Sequence, residues 1–255
     1  MIDQLRSELI KIRTVRSTVV MLGIVVLLSL VPAALIALLV PTRSLLDMDP
    51  VERVQVSLIG VQFSQILLAV IAALVIAGEF RFRTIRTTYL AEPRRLRVLA
   101  AKLLTVVLLA AVVAAVMVAV SASVTGLILN ARGVSYSATA DGAARILYGT
   151  VLYSILYAVT ALAVATLVRN AAASIVLIIV LPLIVENIVT AIFTAVKHES
   201  WAKWLPFAAG REIASDPNGR SVFSRMAPWS GYAYGWGWAL VLLAGGAYLL
   251  QRRDA

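Results

Sequence analysis

Apolar residues fall in six long runs, 19–40, 58–77, 98–129, 146–168, 171–196 and 232–250, separated by shorter polar stretches. A helix needs about 20 apolar residues to cross the hydrocarbon of a bilayer, so each run predicts one transmembrane helix. Together they leave no stretch for a soluble catalytic domain, and residues 1–255 are expected to form a single all-α membrane domain. Ahead of the first run, Ile2, Leu5, Leu9 and Ile12 share one helical stripe flanked by Arg6 and Arg13. That pattern predicts an interfacial helix over 1–18, against the alternative of a short basic tail. The first run follows basic residues as a signal peptide does, but it is too long for a cleaved segment and is read as an anchor.

The connections differ sharply in size. Spans four and five are joined by little more than Arg169-Asn170, too short to present a surface. Residues 79–97, in contrast, carry Phe80, Phe82, Ile85 and Tyr89 at helical spacings, and Pro93 should end that helix before the third span begins. Residues 197–231 place Trp201, Trp204, Phe207 and Trp229 among Pro206, Pro217 and Pro228. Indoles favour the headgroup level and prolines interrupt a helix, so short re-entrant outer helices are expected there.

Only 14% of residues are charged and the mean hydropathy is +0.93, far from a soluble domain, where about a quarter are charged. The net charge of +10 does not require a nucleic-acid partner, because the bases sit at the ends of spans. Fourteen of the 23 Lys and Arg fall on the side of the N-terminus, seven of them from Arg81 to Lys102. The positive-inside bias then places both termini and the 79–97 loop in the cytoplasm. Cysteine is absent, which excludes a disulfide framework and thiolate chemistry.

Candidate chemistry is sparse. Glu186 is a carboxylate inside the fifth run, followed by Asn187 and preceded by Pro182. Fifteen residues of helix from Ala171 rise about 22 Å, placing Glu186 beyond the middle of the membrane. It reads as a polar point on a pathway or partner contact, or as a carboxylate that snorkels or pairs structurally. Pro182 predicts a kink or a broken helix. His198 is the single histidine; no zinc-protease or nucleophile-elbow pattern surrounds any candidate, and no phosphate loop is present. An enzyme is therefore not expected, and no metal or cofactor is assigned to this chain.

The 79–97 loop carries Glu79-Phe80-Arg81-Phe82-Arg83-Thr84-Ile85-Arg86-Thr87-Thr88, then Pro93-Arg94-Arg95 and Ala101-Lys102. With Trp204-Leu205-Pro206-Phe207 before the last span, this resembles the integral-membrane subunit of type 2 ABC transporters, the ABC-2 permease family. Arg83 stands where that family usually has glycine. The resemblance implies six spans with a cytoplasmic coupling helix at Arg81–Thr88, in a prokaryotic inner-membrane exporter of an amphipathic, lipid-like, drug or peptide substrate. It implies pairing with a second permease copy or paralogue and with separate ATPase subunits that bind ATP and Mg. Glu79, Arg81, Arg83, Thr84, Ile85, Arg86 and Thr87 would then couple the ATPase to the spans. The alternative from another class is a membrane scaffold or regulatory protein that binds a cytoplasmic partner through the same loop.

Overall fold

The computed structural model describes residues 7, 8, 10 and 16–252, apart from 83, 93, 141 and 217–225. The described residues contain helices and no strand. Six helical stretches are long and apolar enough to cross a membrane: Thr18–Leu39, Pro50–Arg81, Arg95–Ala131, Ala143–Val168, Ala171–Ala195 and Pro228–Arg252, here the first to sixth spans. Each overlaps one of the six apolar runs. The interfacial helix expected over 1–18 lies mostly outside the described residues.

The fourth span is the hub, packing against the second, third and sixth. Its Ala158, Ala161, Leu162, Ala163 and Ala165 are wholly buried, because small side chains let neighbouring backbones approach where lipid offers no hydrophobic drive to association. The same logic joins the first two spans at Gly60, where a Cβ would lie 2.2 Å from the Ser29 carbonyl oxygen. Hydroxyls reinforce that junction. Ser64 donates to the Val25 carbonyl at 2.9 Å, and the Ser121 hydroxyl of the third span lies 2.9 Å from the Ser29 carbonyl and 2.6 Å from that of Ser57. The first and fifth spans turn Leu27, Val31, Ile188 and Ile192 outward, as helices that face lipid do.

Two spans are interrupted. The second opens with a helix, Pro50–Ser57, turns at Leu58 and resumes as Ile59–Arg81. Its start carries a capping box, in which the Asp49 N–H donates to Glu52, with Pro50 at the first helical position. The fifth runs as Ala171–Val180, widens to a π-helical turn at Leu181–Val185, and continues as Glu186–Ala195. Pro182 has no N–H to give and its ring crowds the preceding turn, so the wider turn forms where the sequence predicted a break.

The third span, at 37 residues, is about 55 Å long and exceeds a hydrocarbon layer of about 30 Å. At the end opposite the 79–97 loop, Arg53 is buried and gathers the loops around it. Its guanidinium donates to the carbonyls of Leu45, Leu46, Met48 and Ser135 and to the Ser135 hydroxyl, at 2.8 to 3.0 Å. Five N–H donors thus meet acceptors, which is how a guanidinium is tolerated there.

Candidate functional site

The loop between the second and third spans forms a helix at Ile85–Ala91. The helix expected at Arg81–Thr88 therefore differs in its bounds. Arg81 is the last residue of the second span, and the chain turns through Phe82 before the new helix starts. Thr84 holds the first turn: its carbonyl accepts from the Thr88 N–H at 3.2 Å and from the Thr87 and Thr88 hydroxyls at 2.7 and 3.3 Å. Ile85 is buried and anchors the helix to the bundle, while Thr84 and Thr87 are exposed. Arg81 is exposed, its guanidinium 5.4 Å from the Phe82 ring. Arg83 and the Arg86 side chain lie outside the described residues.

Beneath this helix sits a buried ionic node. Lys102, seven residues into the third span, is completely inaccessible, and its ammonium donates to Glu79 Oε1 at 2.8 Å, Glu8 Oε2 at 3.0 Å and the Val75 carbonyl at 3.1 Å. Three donors meet three acceptors, the condition under which a charge is tolerated at this depth. Glu79 Oε2 lies 3.4 Å from the Thr88 hydroxyl, whose single proton it shares with the Thr84 carbonyl. The node therefore joins the N-terminal segment, the second span, the third span and the loop helix.

The second tie runs to the last span. The Arg95 guanidinium lies over the Tyr89 ring, 5.3 Å from its centre, and donates to the Leu250 carbonyl at 2.6 Å. Burial pushes the Tyr89 hydroxyl above its ordinary pKa of 10.0, with the charges of Arg95 and Arg169 opposing the shift. Arg169, from the tight turn between spans four and five, stacks over Phe80 at 5.6 Å. A groove of about 580 Å³ opens beside the node, lined by Glu8, Glu79, Arg81, Thr84, Thr87 and Thr88 with apolar side chains of the first two spans.

Glu186 and Asn187 part company. The Glu186 carboxylate is buried and accepts the backbone N–H groups of Phe207 and Ala208, each at 2.8 Å, so it pins the start of the short helix Pro206–Arg211. Asn187 is exposed and its amide donates back to the Leu183 carbonyl at 2.8 Å, within its own helix. Glu186 is thus paired with backbone N–H groups while Asn187 bonds to its own span, and the two do not form one polar cluster. Between the fifth and sixth spans the described residues adopt 3₁₀ turns at Glu199–Trp204 and Glu212–Ala214 around Pro206–Arg211.

Sequence reasoning missed Glu8 and Lys102 as site residues. Lys102 did carry a sign, being the one base inside the third apolar run, and an ionisable residue in a span asks for a partner. Nothing local pointed to Glu8. No group of His, Asp and Glu among the described residues could hold a metal ion. Comparison with family models, curated proteins and solved structures gives no match.

Proposed function

We propose that this chain is the transmembrane subunit of an ATP-driven exporter of the ABC-2 permease kind, working as a dimer with separate ATPase subunits. The observation that supports this most is the linkage of the Ile85–Ala91 helix to the bundle. Thr88 lies against Glu79, which holds Lys102, and Tyr89 lies under Arg95, which donates to the end of the sixth span. A helix held only by one flexible connection would dissipate a push from a partner. One tied to the second, third and sixth spans transmits it as a rigid-body displacement.

In this reading Ile85–Ala91 is the coupling helix, with Arg81, Thr84 and Thr87 presented to the ATPase and Ile85 turned into the bundle. ATP and Mg bind on the partner, since the chain has no phosphate loop. Both termini and the coupling helix face the cytoplasm, and 199–214 is the outer re-entrant segment. The fifth and first spans, with their outward apolar faces, remain available for the second copy and for lipid.

Purification from native membranes tests the reading. The unaltered chain is expected to bring down a nucleotide-binding subunit and ATPase activity, and the Arg81→Glu, Thr84→Glu, Thr87→Glu triple variant is expected to lose both. If the unaltered chain purifies without ATPase activity, the exporter reading fails and a scaffold binding another partner replaces it.

A further inference from the structure

Two cavities of opposite character meet at Tyr153. On the side away from the loop, a cavity of about 1090 Å³ is lined by Gln55, Gln62, Gln65 and Thr150, with Asp49, Glu52, Arg211 and Asp216 also on its wall. A second pocket, of about 190 Å³, is lined by Leu156, Val164, Leu181, Phe207, Trp238 and Leu242 among others. Tyr153 lines both. The short helix Pro206–Arg211 also serves both, through Phe207 in the apolar pocket and Arg211 in the polar cavity.

These walls are built rather than incidental. Tyr153 stacks on Tyr157 with ring centres 6.0 Å apart, and Tyr157 meets the Phe207 ring edge-on at 5.4 Å while its hydroxyl donates to the Ile178 carbonyl at 2.7 Å. Gln65 is buried and donates to the Ser154 hydroxyl at 2.9 Å and the Thr150 carbonyl at 3.3 Å, fixing the polar floor between the second and fourth spans. Gln65 lies about 9 Å into the helix Ile59–Arg81 and Tyr153 about 15 Å into Ala143–Val168, so the boundary is well inside the bundle. The buried polar side chains of this wall, Gln65 and Thr150, are uncharged, as is the exposed Gln62 one turn away. They offer amide and hydroxyl donors and acceptors together.

We infer that Tyr153 divides a binding site for an amphiphile, with an uncharged, hydroxyl-rich head on the glutamine floor and an alkyl tail in the apolar pocket. A few convergent polar groups beside an apolar pocket are the usual form of a small-molecule site. The tail passes alongside the Tyr153 ring, and Glu186 acts from behind by seating the helix that carries Phe207 and Arg211. Calling this ligand the cargo rests on the exporter reading; its binding does not.

The test uses the whole chain in lipid nanodiscs without any ATPase, and a photoreactive alkyl glucoside as probe. Labelled peptides are expected from the fourth span near Leu156 or the sixth near Trp238, and excess unlabelled alkyl glucoside should suppress them. Alkyl trimethylammonium and alkyl sulfate of the same chain length should compete about ten-fold more weakly, as should alkyl glucoside against the Gln62→Leu variant. Leu242→Trp, which fills the tail pocket, should abolish the suppressible label. Label spread over outward-facing residues without competition overturns the site, and equal or better competition by either charged head overturns the assigned head. Because the wild-type comparison of heads needs no variant, a variant that misfolds does not shelter the proposal. Since no ATPase is present, failure here leaves the coupling reading standing, and failure of co-purification leaves the site standing.

Discussion

Lys102 is the most demanding single residue in the bundle, a charge buried completely. An ammonium with no access to water is held by two carboxylates and one carbonyl, so the group and its partners stand or fall together. Replacing Lys102 by Met leaves Glu8 and Glu79 facing each other in a buried place, and the expected loss is about 3–5 kcal/mol. Thermal unfolding in nanodiscs measures it. Adding Glu8→Gln and Glu79→Gln should restore much of the loss, and a simple packing role for Lys102 would predict no such recovery. Glu186 shows the complementary case, a carboxylate whose depth the sequence revealed and whose role it did not. Its partners are two backbone N–H groups some twenty residues further on, and a backbone donor has no signature in composition.

At the scale of elements, close helix approach decides the packing. The first two spans touch at Gly60, whose missing side chain lets the Ser29 carbonyl come within 2.2 Å of where a Cβ would stand. Gly60→Ala should cost about 1–3 kcal/mol, because the obstacle is backbone and cannot rotate away. Gly23→Ala, with nothing within 4 Å, is the matched control and should leave the melting temperature unchanged. The six spans were legible because a membrane demands long uninterrupted apolar runs, and the turn at Pro182 because proline cannot sustain an α-helical ladder. The short helices Thr42–Leu46 and Pro50–Ser57 were not anticipated, being too short and polar for periodicity to single out, although Asp49-Pro50 with Glu52 spells a helix start. The loop helix was read about one turn early. The charge and aromatic spacing begin at Arg81, but the three-threonine turn at Thr84 sets where the helix begins.

Across the whole molecule, two polar regions stand at opposite ends of an apolar bundle. At the loop end, Lys102 and Arg95 bind the Ile85–Ala91 helix to three spans and the N-terminal segment. At the far end, the glutamine-lined cavity penetrates between the second and fourth spans, and the second span contributes to both. Sequence could not place the two ends in one mechanism, because Glu8 and Lys102 are 94 positions apart and Gln65 and Ser154 are 89 apart. Displacement of the second span by the loop helix would move the glutamine floor against Tyr153. If an ATPase pushes on the loop helix, as proposed, the absence of cysteine makes the contact directly testable. Thr87→Cys carries a unique thiol, and a thiol-linked photocrosslinker there should join the chain to one nucleotide-binding subunit in native membranes, with the yield changing when ATP is added. Crosslinking only to lipid, or to a protein that binds no ATP, would rule out an ATPase at this helix.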